Sequence, residues 1–259
     1  MKRQGMCAGL LAALLLTACG ARPEQTVVSE PEEPPEQVEN IVEEPNFEML
    51  PGLVPAAFQD TMPEEDYAAF AAYLPVLAGE QTFRWVAGPH DGYPDYTWDP
   101  VETDLSGFHN ILWDRTDVEQ PPETLTLDRL AVQDVDGDGT AELVLLFQDV
   151  AYQYLVLHME EDACFGTSFG VRWFMSLREN GVYEGSGGAG STTYYKMAFR
   201  DEKFCQQELA HREEWATGGE YVLDGEPVSE AEFARWQEET LTDEVTWYAP
   251  NGTVIPENQ

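Results

Sequence analysis

Between two apolar runs, DRLAVQ (128–133) and ELVLLFQ (142–148), the chain carries DVDGDGTA. Three aspartates alternate there, two glycines stand among them, and Glu142 opens the second run. The runs are short, nearly continuous in apolar residues and bounded by turn formers, which suits strands buried on a sheet. The residues between them are too polar to follow the strands inside. The stretch therefore predicts a strand, an acidic loop and a second strand. Four carboxylates in nine residues also repel one another unless something gathers them.

A hard cation such as Ca2+ does gather them, because it takes about six to eight oxygen ligands and a loop that curls around it aims alternate side chains inward. Asp134, Asp136 and Asp138 converge on that scheme. Gly139 supplies the sharp turn at the sixth position, Thr140 offers its carbonyl at the seventh and Glu142 stands at the ninth. An EF-hand loop would place its bidentate glutamate at the twelfth position, which here is Leu145. Ligation thus shifts to Glu142, and a strand follows the loop instead of a helix. The spacing D-x-D-G-D-G-x-x-E resembles the calcium loops of FG-GAP and VCBS-type repeat proteins. About ten residues carry that resemblance, so it implies the ion and not the propeller. No repeat with a period of about 20–50 residues supports a solenoid or propeller.

The chain opens MKRQGMCAGLLAALLLTAC. Lys2 and Arg3 precede an apolar stretch over 6–16, too short for the ~20 residues that span a bilayer. Residues 1–18 read as a signal peptide. LTAC, ending at Cys19, resembles the lipobox of bacterial lipoproteins, which implies that Cys19 is lipidated and anchors the mature protein in a membrane. Two acyl chains together give stable anchoring. Residues 19–55 follow as an acidic, Pro- and Glu-rich tether with too little apolar surface to order itself. Residues 56–259 are expected to form one domain.

That domain is expected to be α+β, an antiparallel sheet with the strand-loop-strand calcium site and a few packed helices. In TMPEEDYAAFAAYL, Thr61 is the expected cap, with Glu64 three residues on, and Pro75 the expected stop. A strand is expected near 82–86 and a short helix near 105–113, among the aromatics of 81–122, which include Tyr93, Tyr96 and Trp98. AYQYLVLHM, VRWFMSL, STTYYKMAF and EYVLDGEPV read as further strands, with Asn180-Gly181 and Asp224-Gly225 as turns. In VSEAEFARWQEET, Ser229 and Glu232 make a capping box, and Val228 and Phe233 a hydrophobic staple.

The formal charge of −36 repels phosphate backbones and excludes nucleic acid as a partner. GSGGAGST (185–192) has the glycine spacing of a phosphate loop but lacks its lysine, and reads as a flexible connection. His90, His109, His158 and His211 have no zinc-type spacing, so each is expected to be solvated or packed. Cys164 and Cys205 are able to pair outside the cytoplasm or to remain free. No nucleophile motif is present and no residue stands out as catalytic.

The acidic loop, then GVRWFMSLRENGVYEGSGGAGSTTYYKMAF and YVLDGEPVSEAEFARW, in that order, resemble uncharacterised lipoproteins of Gram-positive gut bacteria, over about residues 125–248. The resemblance implies location and calcium, and carries no activity. Two readings of function stay open. One is a lipid-anchored extracytoplasmic domain with a structural calcium ion that binds a protein or glycan ligand. The other is a secreted hydrolase of polysaccharide or cell-wall material.

Overall fold

The computed structural model describes residues 46–86, 100–114, 122–148, 153–216 and 218–256. All belong to one compact unit, Glu44–Gln259. The signal segment, Cys19, the tether up to residue 45 and the aromatics Tyr93, Tyr96 and Trp98 lie outside the described residues. Packed structure begins before residue 56. Leu50 and Leu53 are buried in the core, and the Leu125 N–H donates to the Met49 carbonyl. The Glu- and Pro-rich composition averaged over the tether conceals the apolar cluster Phe47, Met49, Leu50 and Leu53 at its end.

Three helices come first, α1 (Pro55–Phe58), α2 (Glu64–Ala72) and α3 (Leu74–Leu77), and a fourth, α4 (Leu105–Asp114), follows the first two strands. Thr61 does not cap α2. Pro63 takes that position without a side-chain bond, and the Thr61 hydroxyl instead donates to the Ala57 carbonyl at 3.2 Å. Glu64, Glu65 and Asp66 still favour the α2 N-terminus through the helix dipole. Nor does Pro75 end the helical path: it stands in the first turn of α3, where its missing N–H would have had no helical partner.

The strands are β1 (Phe83–Val86), β2 (Val101–Thr103), β3 (Leu127–Gln133), β4 (Glu142–Phe147), β5 (Gln153–Glu160) and β6 (Ala163–Gly170). They continue with β7 (Val182–Gly188), β8 (Ser191–Arg200), β9 (Lys203–Trp215), β10 (Gly218–Leu223) and β11 (Glu226–Pro227). After the helix α5 (Glu230–Thr240) come β12 (Trp247–Tyr248) and β13 (Val254–Ile255). One sheet has the order β13-β12-β3-β4-β5-β6-β1-β2, the other β11-β10-β9-β8-β7. Pairing is antiparallel except between β1 and β6. The fold is therefore α+β, with two sheets where one was expected.

Layering explains the apolar runs. Leu143, Leu145 and Phe147 of β4 face the α1–α4 side with Phe58, Phe70 and Phe108. Val144 and Leu146 alternate to the other face and pack with Tyr183 and Met197 of the five-stranded sheet. A third apolar layer, with Tyr194 and Ala210, lies under Phe233 of α5. The capping box forms as expected: Ser229 Oγ accepts the Glu232 N–H, and the Glu232 carboxylate accepts the Ser229 N–H.

VRWFMSL, expected as a strand, is a 3₁₀ turn at Val171–Trp173 followed by an extended crossing between the sheets. Phe174 and Leu177 bury themselves in the middle layer on the way, so their apolar character reflects passage between sheets and not a ladder position. The glycine-rich 185–192 segment is no loose connection either. It is the tip of the β7–β8 hairpin, where Gly188 pairs with Ser191.

Cys164 and Cys205 are free. The first faces α1–α4 from the eight-stranded sheet, while the second is exposed on β9 of the other sheet. Burial pushes the Cys164 thiol up to about 12. In a soluble form beginning after Cys19, alkylation at pH 8 is expected to label Cys205 alone under native conditions and both thiols after unfolding. Mass spectrometry reads this directly, and native labelling of Cys164 would contradict it.

Candidate metal centre

The loop joining β3 to β4 springs from the pair Gln133 and Glu142. Its aspartates are turned onto its own backbone. Asp134 accepts the N–H groups of Gly137 at 2.7 Å and Gly139 at 3.0 Å; Asp136 Oδ1 accepts that of Asp138 at 3.0 Å; Asp138 accepts that of Thr140 at 2.6 Å. Gly137 and Gly139 have φ of +80° and +95°, the left-handed region that lets these N–H groups turn inward. Val135, fully buried in the middle layer, pins the loop from below. The Asn180-Gly181 turn lies against it so closely that a Cβ at Gly181 would sit 2.2 Å from the Val135 carbonyl oxygen.

Glu142 leaves β4 on the same face as Val144, towards the five-stranded sheet, and is 1% exposed. Its Oε2 accepts the Val135 N–H at 2.6 Å, and its Oε1 lies 2.7 Å from Nδ1 of His158 on β5. His158 is 2% exposed, with the Phe199 ring centred 4.1 Å from its own. Burial raises the Glu142 carboxyl, and the nearby Asp136 adds to that, against the opposing bonds from His158 and Val135. Burial draws the His158 imidazole down, but the bond to Glu142 and the charges of Glu142, Asp136 and Asp138 outweigh it, and the net shift is upward. Glu142 and His158 are therefore both shifted towards their protonated forms.

Asp136 extends the arrangement to the second sheet. Its Oδ2 accepts the Phe199 N–H of β8 at 2.9 Å. Lys196, also on β8, places its Nζ 3.4 Å from where a Cβ would stand on Gly137.

Two overlapping sets of side chains result. Asp134, Asp136 and Glu142 bring carboxylate oxygens within 4.8 Å of one another, and Asp136 and Asp138 do the same with a ring nitrogen of His158. Asp134, Asp136 and Glu142 are able to hold a metal ion. Asp138 meets Asp136 in the second set, and exposed Thr140 gives its N–H to Asp138. Glu142 does more than stand at a ligand position, because it also ties the loop to the buried core. His158, expected to be merely packed or solvated, belongs to the centre. Its signal lies in alternation: Tyr154, Val156 and His158 share the inter-sheet face of β5, and the register Leu143–Leu157 sets the next residues, Glu142 and His158, opposite each other.

No family model, curated protein or solved structure matches this chain. Among the described residues, no helix is long and apolar enough to cross a membrane.

Proposed function

We propose that the acidic loop binds calcium as a structural ion, in a lipid-anchored extracytoplasmic protein whose folded unit binds a ligand or partner. The observation that carries the metal reading is the convergence of oxygens from Asp134, Asp136 and Glu142. A set of oxygens alone suits a hard cation. Asp138 and the Thr140 carbonyl complete the proposed shell. Its place favours a structural role: Glu142 belongs to one sheet, and Asp136 is bonded to β8 of the other.

The test is thermal unfolding with chelator and with calcium. A site of extracellular type, with a dissociation constant near ~10⁻⁴ M, stabilises the fold by roughly 1.4 kcal/mol at ~1 mM ion. A rise in Tm of about 3–6 °C is expected. Equal melting in chelator and several millimolar calcium, with no heat of binding, would leave the loop an acidic turn only.

The anchor rests on Lys2, Arg3, the apolar 6–16 stretch and Cys19 of LTAC, and the acidic residues after it suit a spacer from the membrane surface. Cys19→Ser is expected to abolish acyl labelling and change signal processing. An unlipidated, soluble wild-type protein would refute the anchor.

A binding role is favoured over hydrolysis by the cavity of about 240 Å³ beside Trp215, lined also by Gly187, Gly188, Gly190, Glu213 and Glu214. Trp215 is 56% exposed, the kind of aromatic surface on which a sugar ring or an apolar side chain can rest. Glu213 and Glu214 are consecutive on β9 and project to opposite faces, so they do not make the facing carboxylate pair that glycoside hydrolysis uses.

A further inference from the structure

We propose that Asn251 is a site of spontaneous deamidation in the folded protein, and that Asn180, in an equivalent turn, is a latent site kept intact by the end of α5. Each stands directly before a glycine, Gly252 and Gly181, and no other asparagine in the chain does. The reaction consumes only water. The glycine nitrogen attacks the asparagine Cγ and a ring N–C bond forms, while the side-chain nitrogen leaves as ammonia with the proton of the glycine N–H. Water then opens the succinimide on one side or the other, to aspartate or to an isoaspartyl link. Glycine favours the closure because no Cβ crowds its nitrogen.

The two turns match closely. The Gly181 N–H donates to the Arg178 carbonyl and the Gly252 N–H to the Ala249 carbonyl, both at 2.9 Å. The Arg178 and Ala249 N–H groups donate in return, at 2.8 Å each, to the carbonyls of Val182 and Thr253. Both glycines are left-handed, with φ of +78° and +79°. Asn180 Oδ1 accepts the Val182 N–H at 3.3 Å and Asn251 Oδ1 the Thr253 N–H at 3.1 Å, so a donor polarises each carbonyl that is to be attacked. Nucleophile and electrophile are thus alike in the two turns, and the surroundings make the difference.

The Asn180 turn is fastened on several sides. Asn180 Nδ2 donates to the Thr240 carbonyl at the C-terminal end of α5 at 2.7 Å, and the Asn180 N–H donates to Thr242 Oγ1 at 3.2 Å. The Glu179 N–H donates to the Asp243 carbonyl. The amide nitrogen that must leave is therefore held, and Gly181 lies against the Val135 carbonyl. Ring closure there requires all these contacts to part together, an opening near the costly end of the local range. Asn251, by contrast, is exposed, and among the described residues its side chain makes only the bond from Thr253. Its turn joins β12 and β13, two residues each, at the outer end of the eight-stranded sheet. The Pro250 carbonyl still accepts the Val54 N–H and Gly252 packs on Ala57, so the ring closes when this short hairpin frays. An isoaspartyl link at 251 adds a main-chain carbon to the turn and puts the pairing of Tyr248 with Val254 out of step. At position 180 a new carboxylate would face the Thr240 carbonyl, at the negative end of the α5 dipole.

The test is peptide mapping by mass spectrometry after the purified protein has stood at mildly alkaline pH, folded and in denaturant. In the folded protein Asn251 should convert at least ~10-fold faster than Asn180, and in denaturant the two rates should converge. Equal rates in the folded protein, a folded Asn251 as inert as Asn180, or a difference undiminished in denaturant overturns the proposal. Melting of two variants tests the hold on Asn180 separately. Asn180→Asp should lower the Tm by roughly 2–4 °C and Asn251→Asp should leave it unchanged. Equal melting of the two refutes the hold by α5.

Discussion

Glu142→Ala is expected to cost about 3–5 kcal/mol of stability, in chelator as well as in calcium. The alanine removes one partner of a buried pair, leaving His158 between the sheets with no carboxylate and the Val135 N–H with no acceptor. For a folded unit of this size the Tm should fall by roughly 6–20 °C. Asp138→Ala forms the control. Asp138 is exposed and accepts only the Thr140 N–H among the described residues, so its loss should change stability in chelator by no more than about 0.5 kcal/mol while removing the calcium response. Asp136→Ala should fall between them, because it strands the Phe199 N–H. Denaturant unfolding of the three variants, each with chelator and with calcium, measures this order. If Glu142→Ala proves as mild in chelator as Asp138→Ala, Glu142 does not anchor the loop.

Phe174→Ala should cost a similar amount, about 3–5 kcal/mol, by a different route. Phe174 is fully buried where the chain crosses from one sheet to the other, with ring centroids 4.5 Å from Tyr183, 5.0 Å from Tyr154 and 5.3 Å from Phe169. Those rings come from both sheets, so the truncated side chain leaves a void that neither sheet can close alone. The increment due to calcium should persist in this variant. Calorimetric unfolding checks both statements, and a loss below ~1 kcal/mol would mean that the crossing segment does not hold the sheets together.

Much of the centre was legible in the residues, because punctuation and polarity agree there. Alternating aspartates between two apolar runs leave few alternatives to a loop between strands, and Ser229, Glu232 and Phe233 announce α5 with equal clarity. His158 was not legible for a physical reason. It meets Glu142 through the register of β4 and β5, and no local spacing expresses a contact sixteen residues apart. The thirteen-residue strand β9 was missed because much of KFCQQELAHREEW is exposed, so no apolar period marks it. Its hairpin turn also carries no warning: Asp201 and Glu202 adopt φ of +52° and +60° without the glycine or asparagine that usually takes such angles. Composition misled in two places. It placed Leu50 and Leu53 in a tether, and it made a structured hairpin tip of glycines look slack.

Strand order also governs when this protein can finish folding. β12 joins the eight-stranded sheet beside β3, with Tyr248 opposite Leu130, after the whole of the five-stranded sheet and α5 has been laid down in between. The outer edge of β3 therefore stays unpaired until the last residues of the chain are available. Contacts so far apart in sequence form slowly, since loop closure must precede the gain from pairing.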